Sequence, residues 1–412
     1  NCDICYLAII FSEYIENIPN IKMRFTLLLT FIFCLFFSCK EKSKETFPST
    51  LETKTIAIEY AKGFTVEKTG SGITIINVSS PWPNAQTSYK YALVPKEKLA
   101  TITLNKEEFD AIIGVPVHNI VSTSTTHIPT LEALGVIDAL KGFPDTQYIS
   151  SKKTRELIDA GKIKELGNNE SINTEMVIEL NPEVIIGFSI NNQNKAYETL
   201  QRSNIPVVYN GDWTEETPLG KAEWIKFIAP FFQKEELADS IFREIADSYN
   251  HVKTLAQNAE NKPEVLSGAL YKDVWYLPGG NSWAAMFLKD ANTSYPWSNT
   301  KQTGSLNLSI ESVLEKGIDA EYWISPSQFT SYQEMKEANQ HYLNFKAFQN
   351  KKVYTFAKTK GATGGLLYFE LGPNRPDLIL KDLIHIFHPE ILPQHELFFF
   401  KPFLLKILLM RF

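Results

Sequence analysis

One stretch that can only be a long helix constrains this fold more than any other feature of the chain. From residue 233 to about 259 there is neither proline nor glycine. Leu237, Ile241, Phe242, Ile245, Tyr249, Val252 and Leu255 fall on a single helical stripe within it. At 1.5 Å per residue such a helix spans roughly 40 Å, more than one small domain needs. It therefore reads as a strut joining two domains.

Strand and helix signals alternate on both sides of the strut. Residues 117–123 form a short β-branched run, followed by the polar loop Ser124-Thr125-Thr126-His127 and a helical stretch at 129–134 closed by Gly135. Residues 184–188 repeat the pattern, with a loop at 189–192, a helix at 195–203 and a strand at 206–209. After the strut, 264–270, 322–326 and 352–356 read as strands, 334–348 as a helical region and 377–387 as a closing helix. Such alternation implies right-handed crossovers and mostly parallel sheets covered on both faces. The expected fold is α/β, with two Rossmann-like lobes joined by a single long α-helix. Residues 56–230 make the first lobe, which opens on a β-rich segment around turn signals; 231–261 link, 262–403 make the second lobe, and 404–412 are a tail without an assigned role.

The beginning of the chain has the order of an export signal. Basic Lys22 and Arg24 precede an apolar run at 25–37, which ends in Ser38 and Cys39. The run is too short for a bilayer, which needs about 20 residues, and Lys40, Glu41, Lys42, Lys44 and Glu45 follow at once. The expectation is a leader at 1–38, removed to leave Cys39 as an acylated terminus, as in a bacterial lipobox; two acyl chains make anchoring durable. Residues 1–22, upstream of Met23, are expected to contribute nothing to the working protein. Leu35, Phe36 and Phe37 are bulkier than a lipobox usually carries, and an ordinary signal peptide with an incidental cysteine is the other reading. Residues 39–55, rich in Lys, Glu, Ser and Thr, read as a solvated tether. Cys2, Cys5, Cys34 and Cys39 are the only cysteines, so the body holds no disulfide, zinc–cysteine site or cysteine nucleophile. A net charge of −6 argues against a nucleic-acid partner.

Two segments either side of the strut share a grammar: 173–182 before one strand and 309–317 before another. Each opens on an N-cap residue, Asn173 or Ser309, and places Glu175 or Glu311 in the first helical turn. The helix dipole favours a carboxylate there, so capping alone is one reading. The other is a matched pair of anionic knobs for the arginines of a two-fold partner.

The strut, Thr130-Leu131-Glu132-Ala133-Leu134-Gly135, Leu180-Asn181-Pro182-Glu183-Val184-Ile185-Ile186 and Leu219-Gly220-Lys221-Ala222-Glu223-Trp224-Ile225 together resemble the periplasmic binding proteins of ABC importers for iron–siderophore, haem and cobalamin. So do Arg375-Pro376-Asp377-Leu378, Lys381-Asp382-Leu383-Ile384 and Ile386-Phe387-His388-Pro389. The resemblance covers roughly 110–400. It implies two lobes that close only slightly on a metal chelate, a monomeric carrier in the periplasm or at the cell surface, and Glu175 and Glu311 as the contacts to arginines of a dimeric permease. No catalytic residue and no resident cofactor are implied.

In open α/β sheets ligands sit beyond the carboxyl ends of strands. The first lobe offers Ser124, Thr125, Thr126, His127, Tyr148, Asn169, Phe188, Ser189 and Trp213 there; the second offers Tyr271, Trp275, Tyr276, Trp283, Lys360, Tyr368 and Arg375. As a set these aromatics suit a flat, partly apolar ligand, while any one of them could be core. Beyond the leader the arginines are Arg155, Arg202, Arg243, Arg375 and Arg411, and Arg375 alone is expected near the cleft. A strongly anionic catecholate would call for a cluster, so cobalamin, haem or a near-neutral siderophore is expected. His127 is read either as a metal ligand or as a hydrogen-bonding loop residue.

Rival classes lack their motifs. There is no Gly-x-Ser-x-Gly elbow and no Gly-x-Gly-x-x-Gly after a strand, which speaks against a lipid-anchored hydrolase or an oxidoreductase. The acidic, histidine-rich loop of a zinc carrier is missing too. A surface-exposed scavenging lipoprotein remains compatible with the charged 40–45 stretch.

Overall fold

The computed structural model describes residues 53–191 and 193–403, together with the strand pair partner Glu45–Thr46. Cys39, the leader, most of the tether and the 404–412 tail lie outside the described residues. Among the described residues no helix is long and apolar enough to cross a membrane.

The leading segment forms β1 (Thr53–Ile56), β2 (Phe64–Thr69), β3 (Thr74–Val78), β4 (Tyr89–Pro95) and β5 (Ala111–Val115), paired in that order. All pairs are antiparallel except the last, which is parallel. Phe64 and Val66 alternate with solvent-facing neighbours, as a half-buried strand requires. Phe64 packs on Trp224, ring centroids 4.6 Å apart.

The first lobe then builds a parallel sheet from β6 (Ile120–Ser122), β7 (Leu140–Phe143), β8 (Lys164–Glu165), β9 (Val184–Gly187) and β10 (Val207–Tyr209). The intervening helices are α1 (His127–Ala133), α2 (Lys152–Asp159), α3 (Thr174–Leu180) and α4 (Lys195–Arg202). The spatial order is β8-β7-β6-β9-β10, so the winding reverses between β6 and β9. Val184, Ile185 and Ile186 are all buried, because helices cover both faces of a parallel sheet.

Helices α5 (Pro218–Glu223) and α6 (Ile225–Ile228) lead into the long α7 (Glu235–Gln257). Its buried face is Ala238, Phe242, Ile245, Ala246, Tyr249, Val252 and Ala256, whereas Leu237 is 41% exposed and Ile241 is half-buried. The expected stripe was therefore rotated: alanines, which the apolar count passes over, are the residues that let another helix approach closely.

In the second lobe β11 (Val265–Ser267), β15 (Tyr322–Ile324) and β16 (Val353–Thr355) are parallel, and β17 (Lys401–Pro402) closes the edge antiparallel; between them come β12 (Ala269–Tyr271), β13 (Val274–Pro278) and β14 (Ser305–Leu308), a separate antiparallel meander. The expected strand at 264–270 is thus two strands in two sheets. Gly268 is the reason: its φ is +76°, and a Cβ there would stand 1.8 Å from the Tyr276 carbonyl oxygen. The helices are α8 (Trp283–Asp290), α9 (Ile310–Gly317), α10 (Tyr332–Ala338), α11 (Lys346–Gln349), α12 (Leu367–Glu370) and α13 (Pro376–Phe387). The helical region expected at 334–348 is broken at Asn339, whose φ of −160° is extended. α13 packs along α7. Its Asp382, fully buried, accepts the amides of Phe398, Phe399 and Phe400 and a bond from His395 Nε2, which pins the terminal segment so that Phe399, Phe400 and Phe403 enter the core. One apolar core runs from Phe64 through Phe231 and Tyr249 to Trp323 and Phe403.

Candidate ligand-binding cleft

Where the first-lobe sheet reverses, the post-strand loops open a cavity of about 540 Å³, within the usual range for a small-molecule site. Thr123, Ser124 and Thr125 after β6, Phe143 at the end of β7 with Pro144, Asp145 and Tyr148 after it, Asn169 after β8 and Phe188 after β9 form one wall. Gln328 after β15, and Gly364, Gly365, Leu366 and Phe369 after β16, form the other. Two further concavities have similar volumes. One, lined by Lys68, Lys234, Glu235 and Glu236 beside the start of α7, is about 460 Å³; the other, about 550 Å³, lies between α1, α7 and α13. The first gathers the ends of β4 and β5, Pro95 and Val115, in the leading sheet, but neither lies beyond the parallel strands of the two lobe sheets, so the cleft between the lobes is the one at the switch point of the α/β fold.

The wall is rigidly assembled. Phe188 N–H donates to Thr123 Oγ1 (2.9 Å), which also meets Tyr197 OH (2.9 Å), and that hydroxyl donates to the Phe188 carbonyl (3.1 Å). Thr126 Oγ1 donates to Asp212 (2.6 Å) while meeting Ser124 Oγ (2.8 Å). Asp145 sits at φ +54°, its amide held by Glu165 (3.0 Å) and its carboxylate accepting Asn169 N–H (3.2 Å). Opposite, the loop at 361–365 lies flat on the first lobe: a Cβ on Gly365 would meet the Tyr148 carbonyl oxygen at 2.4 Å, and one on Gly361 would meet Ser150 Cα at 2.5 Å. Two aromatic lips face solvent across the mouth, Tyr148 (58% exposed) and Phe369 (51%). Phe188 stands half-buried between them and Trp213, edge-on at 5.4 Å. The lining carries one carboxylate, Asp145, and no Lys or Arg among the described residues.

Of the expected site residues, Ser124, Thr125, Tyr148, Asn169 and Phe188 line the cavity. Thr126 and Trp213 support it from behind, and Ser189 is buried with its hydroxyl on the Asn191 carbonyl (2.6 Å). Several others are corrected. His127 is no loop residue but the first residue of α1, 1% exposed, with Nδ1 on Ser122 Oγ (2.8 Å). Burial pushes its imidazole below the ordinary value, only partly opposed by the Asp212 charge. Trp275 is fully buried, stacked on Trp323 at 5.3 Å with Nε1 on the Ser267 carbonyl (3.0 Å). Tyr271 and Tyr276 are exposed on the meander and do not line the cleft. Trp283 packs on Tyr368 (5.7 Å), with Lys221 Nζ above its ring at 5.7 Å, and Tyr368 is itself buried against Phe356 at 4.4 Å. Lys360 is exposed outside the lining. Arg375 makes a two-toothed pair with Asp377 (2.8 and 2.9 Å) at the start of α13, and that pair raises its pKa. It belongs to the cavity behind α1. Phe143, Pro144, Asp145, Gln328, Leu366 and Phe369 were missed: no strand was expected at Leu140–Phe143, and the segments after the strands expected at 322–326 and 352–356 were not followed as far as Gln328, Leu366 and Phe369.

Glu175 and Glu311 are both exposed in first helical turns. Asn173 accepts Met176 N–H (3.0 Å) and Ser309 accepts Ser312 N–H. The backbone amide and the Ser309 hydroxyl hold the Glu311 carboxyl below its ordinary value. The echo goes further than the caps: Val177 and Val313 are both fully buried, and Glu179 and Glu315 are both exposed one turn on.

Known proteins bear on this geometry. An uncharacterised lipoprotein of Methanocaldococcus jannaschii is 29% identical over 300 residues, covering 70% of this chain and 69% of its own. Another from that organism is 23% identical, covering 89% of this chain and 95% of its own. A possible iron-binding periplasmic solute-binding protein from Staphylococcus epidermidis superposes with a TM-score of 0.53 at 18% identity, over 66% of this chain and 99% of that one. The periplasmic haem-binding protein of Vibrio cholerae gives 0.51 at 18% identity, over 64% and 99%. Residues 120–359, well over half of the chain, match the family model for periplasmic binding proteins, and the chain belongs to that family.

Proposed function

We propose that this protein is an extracytoplasmic carrier, anchored through Cys39, that captures a metal chelate and delivers it to an ABC importer permease. The observation that carries the reading is the cleft: hydroxyl and amide groups on rigid loops, exposed aromatic lips and a single carboxylate, with no basic side chain in the lining. Such a surface suits a flat chelate that is neutral or cationic; a polyanionic one would be left without partners and would meet Asp145. The iron- and haem-binding descriptions of the structural neighbours accord with a chelate. Glu175 and Glu311, matched on the two lobes, are the docking contacts to permease arginines.

Fluorescence titration tests the ligand. Trp213, edge-on to the cleft residue Phe188, reports occupancy. Cobalamin or a ferric hydroxamate is expected to quench it saturably, haemin less tightly, and a ferric catecholate not at all. Absence of saturable binding to every one of them ends the ligand assignment. For the anchor, fatty-acid labelling is expected in the wild type and lost in Cys39→Ala.

A further inference from the structure

The two lips of the cleft are tied together by one buried side chain. Glu370 ends α12 directly after Phe369, the second-lobe lip, and is 2% exposed. Its carboxylate accepts the amides of Ser150 (2.5 Å) and Ser151 (2.9 Å), which lie two and three residues beyond Tyr148, the first-lobe lip. Ser151 is also the N-cap of α2, and its hydroxyl donates to Glu132 on α1. Glu132 takes a second bond from Thr154 Oγ1 (2.6 Å). One serine thus serves two carboxylates, through its hydroxyl on one side and its amide on the other.

We propose that Glu370 is a positioning residue that straps the Phe369 lip to the Tyr148 lip and so controls how readily the cleft opens.

A carboxylate in this place is costly to ionise. Burial outweighs the two amides, and the Glu132 charge adds to it, so the Glu370 carboxyl is pushed up to about 7. The charged groups around it are few: Glu132 comes from α1, while Lys152 and Lys153 on α2 and Lys360 before the glycine loop are all exposed. When the lobes part, water reaches Glu370 and its pKa returns toward the ordinary 4.5. The closed form therefore holds a proton that the open form releases. Opening becomes easier by up to about tenfold per pH unit between those two values and levels off above the higher one. Acid keeps the cleft shut, and neutral to alkaline pH loosens it.

The test needs no ligand, so it stands apart from the chelate assignment. Spin labels at Glu156→Cys and Lys336→Cys, both exposed positions, one on each lobe, report the interlobe distance in the full chain with Cys2, Cys5, Cys34 and Cys39 all replaced by serine. The wild-type background is expected to show a broader, longer distribution at pH 8 than at pH 5. Glu370→Gln, of the same size and permanently neutral, is expected to give one distribution at both pH values. Glu132→Gln, which removes the like charge while keeping a side-chain oxygen for the Ser151 and Thr154 hydroxyls, is expected to move the midpoint toward lower pH. A wild-type distribution that does not change with pH, or a Glu370→Gln chain that changes as the wild type does, overturns the proposal.

Discussion

The two lobes solve the same problem with different materials. In the first, short β-branched strands stack in parallel, their side chains spent on packing, and the loops beyond them are free to carry hydroxyls, an amide and aromatics into the cleft. In the second, aromatics do the packing: Trp275, Trp323, Tyr342 and Phe345 form one cluster, with ring centroids 5.0–5.8 Å apart. The lobe's contribution to the cleft is then Gln328, a glycine-rich loop, Leu366 and Phe369. Aromatic side chains near strand ends are therefore used differently in the two halves: Tyr148 and Phe188 of the first face the cleft, whereas Trp275 and Trp323 of the second are core and Phe369 alone of its aromatics, among the described residues, lines the cavity.

The largest expected effect breaks the second lobe at its turning point. Gly268→Ala places a methyl group against the Tyr276 carbonyl at a positive φ, and is expected to cost roughly 3 kcal/mol or more in urea unfolding. An unchanged midpoint would mean that the strand break is not fixed by glycine. Trp275→Ala comes close behind, at about 3–5 kcal/mol for a fully buried ring, with ligand affinity retained in whatever remains folded. The contrast sharpens on the cleft side: Phe369→Ala or Tyr148→Ala, both exposed lips, should weaken chelate binding about tenfold each, as loss of one aromatic contact implies, while calorimetric stability barely moves. Glu175→Ala combined with Glu311→Ala should abolish uptake in cells and leave both affinity and unfolding midpoint in place; unimpaired uptake removes the docking role. The smallest effect concerns His127. Its depressed pKa means that it contributes stability above the ordinary 6.5, which is lost as pH falls through that value toward the folded-state one. His127→Gln should flatten that acid limb in denaturant titrations at stepped pH, and an unaltered slope would exonerate the histidine.

Much of the first lobe was legible because its signals are local. A β-branched run, a polar loop and a capped helix each arise from neighbouring residues, so Ser124, Thr125 and Phe188 could be placed at strand ends before any tertiary information, whereas the short strands before Tyr148 and Asn169 gave no such signal. The second lobe hid its plan. Trp275 and Tyr276 are adjacent in one strand and face opposite sides, and their chemistry is similar enough that only the pairing of β13 between β12 and β14 separates core from surface. Arg375 sits beside its partner Asp377 in the chain, yet its absence from the cleft depends on where α13 lies against α7.

By itself the amino-acid order determined the alternating α/β lobes, the long connecting helix and the paired N-caps at Asn173 and Ser309, since periodicity and capping act over one or two helical turns. Tertiary structure alone decided which aromatics became lips, that the cleft holds Asp145 and no arginine, and that Glu370 reaches across to Ser150. Those outcomes join residues more than two hundred positions apart, and contacts at that separation follow from strand order and helix packing, which no local pattern encodes.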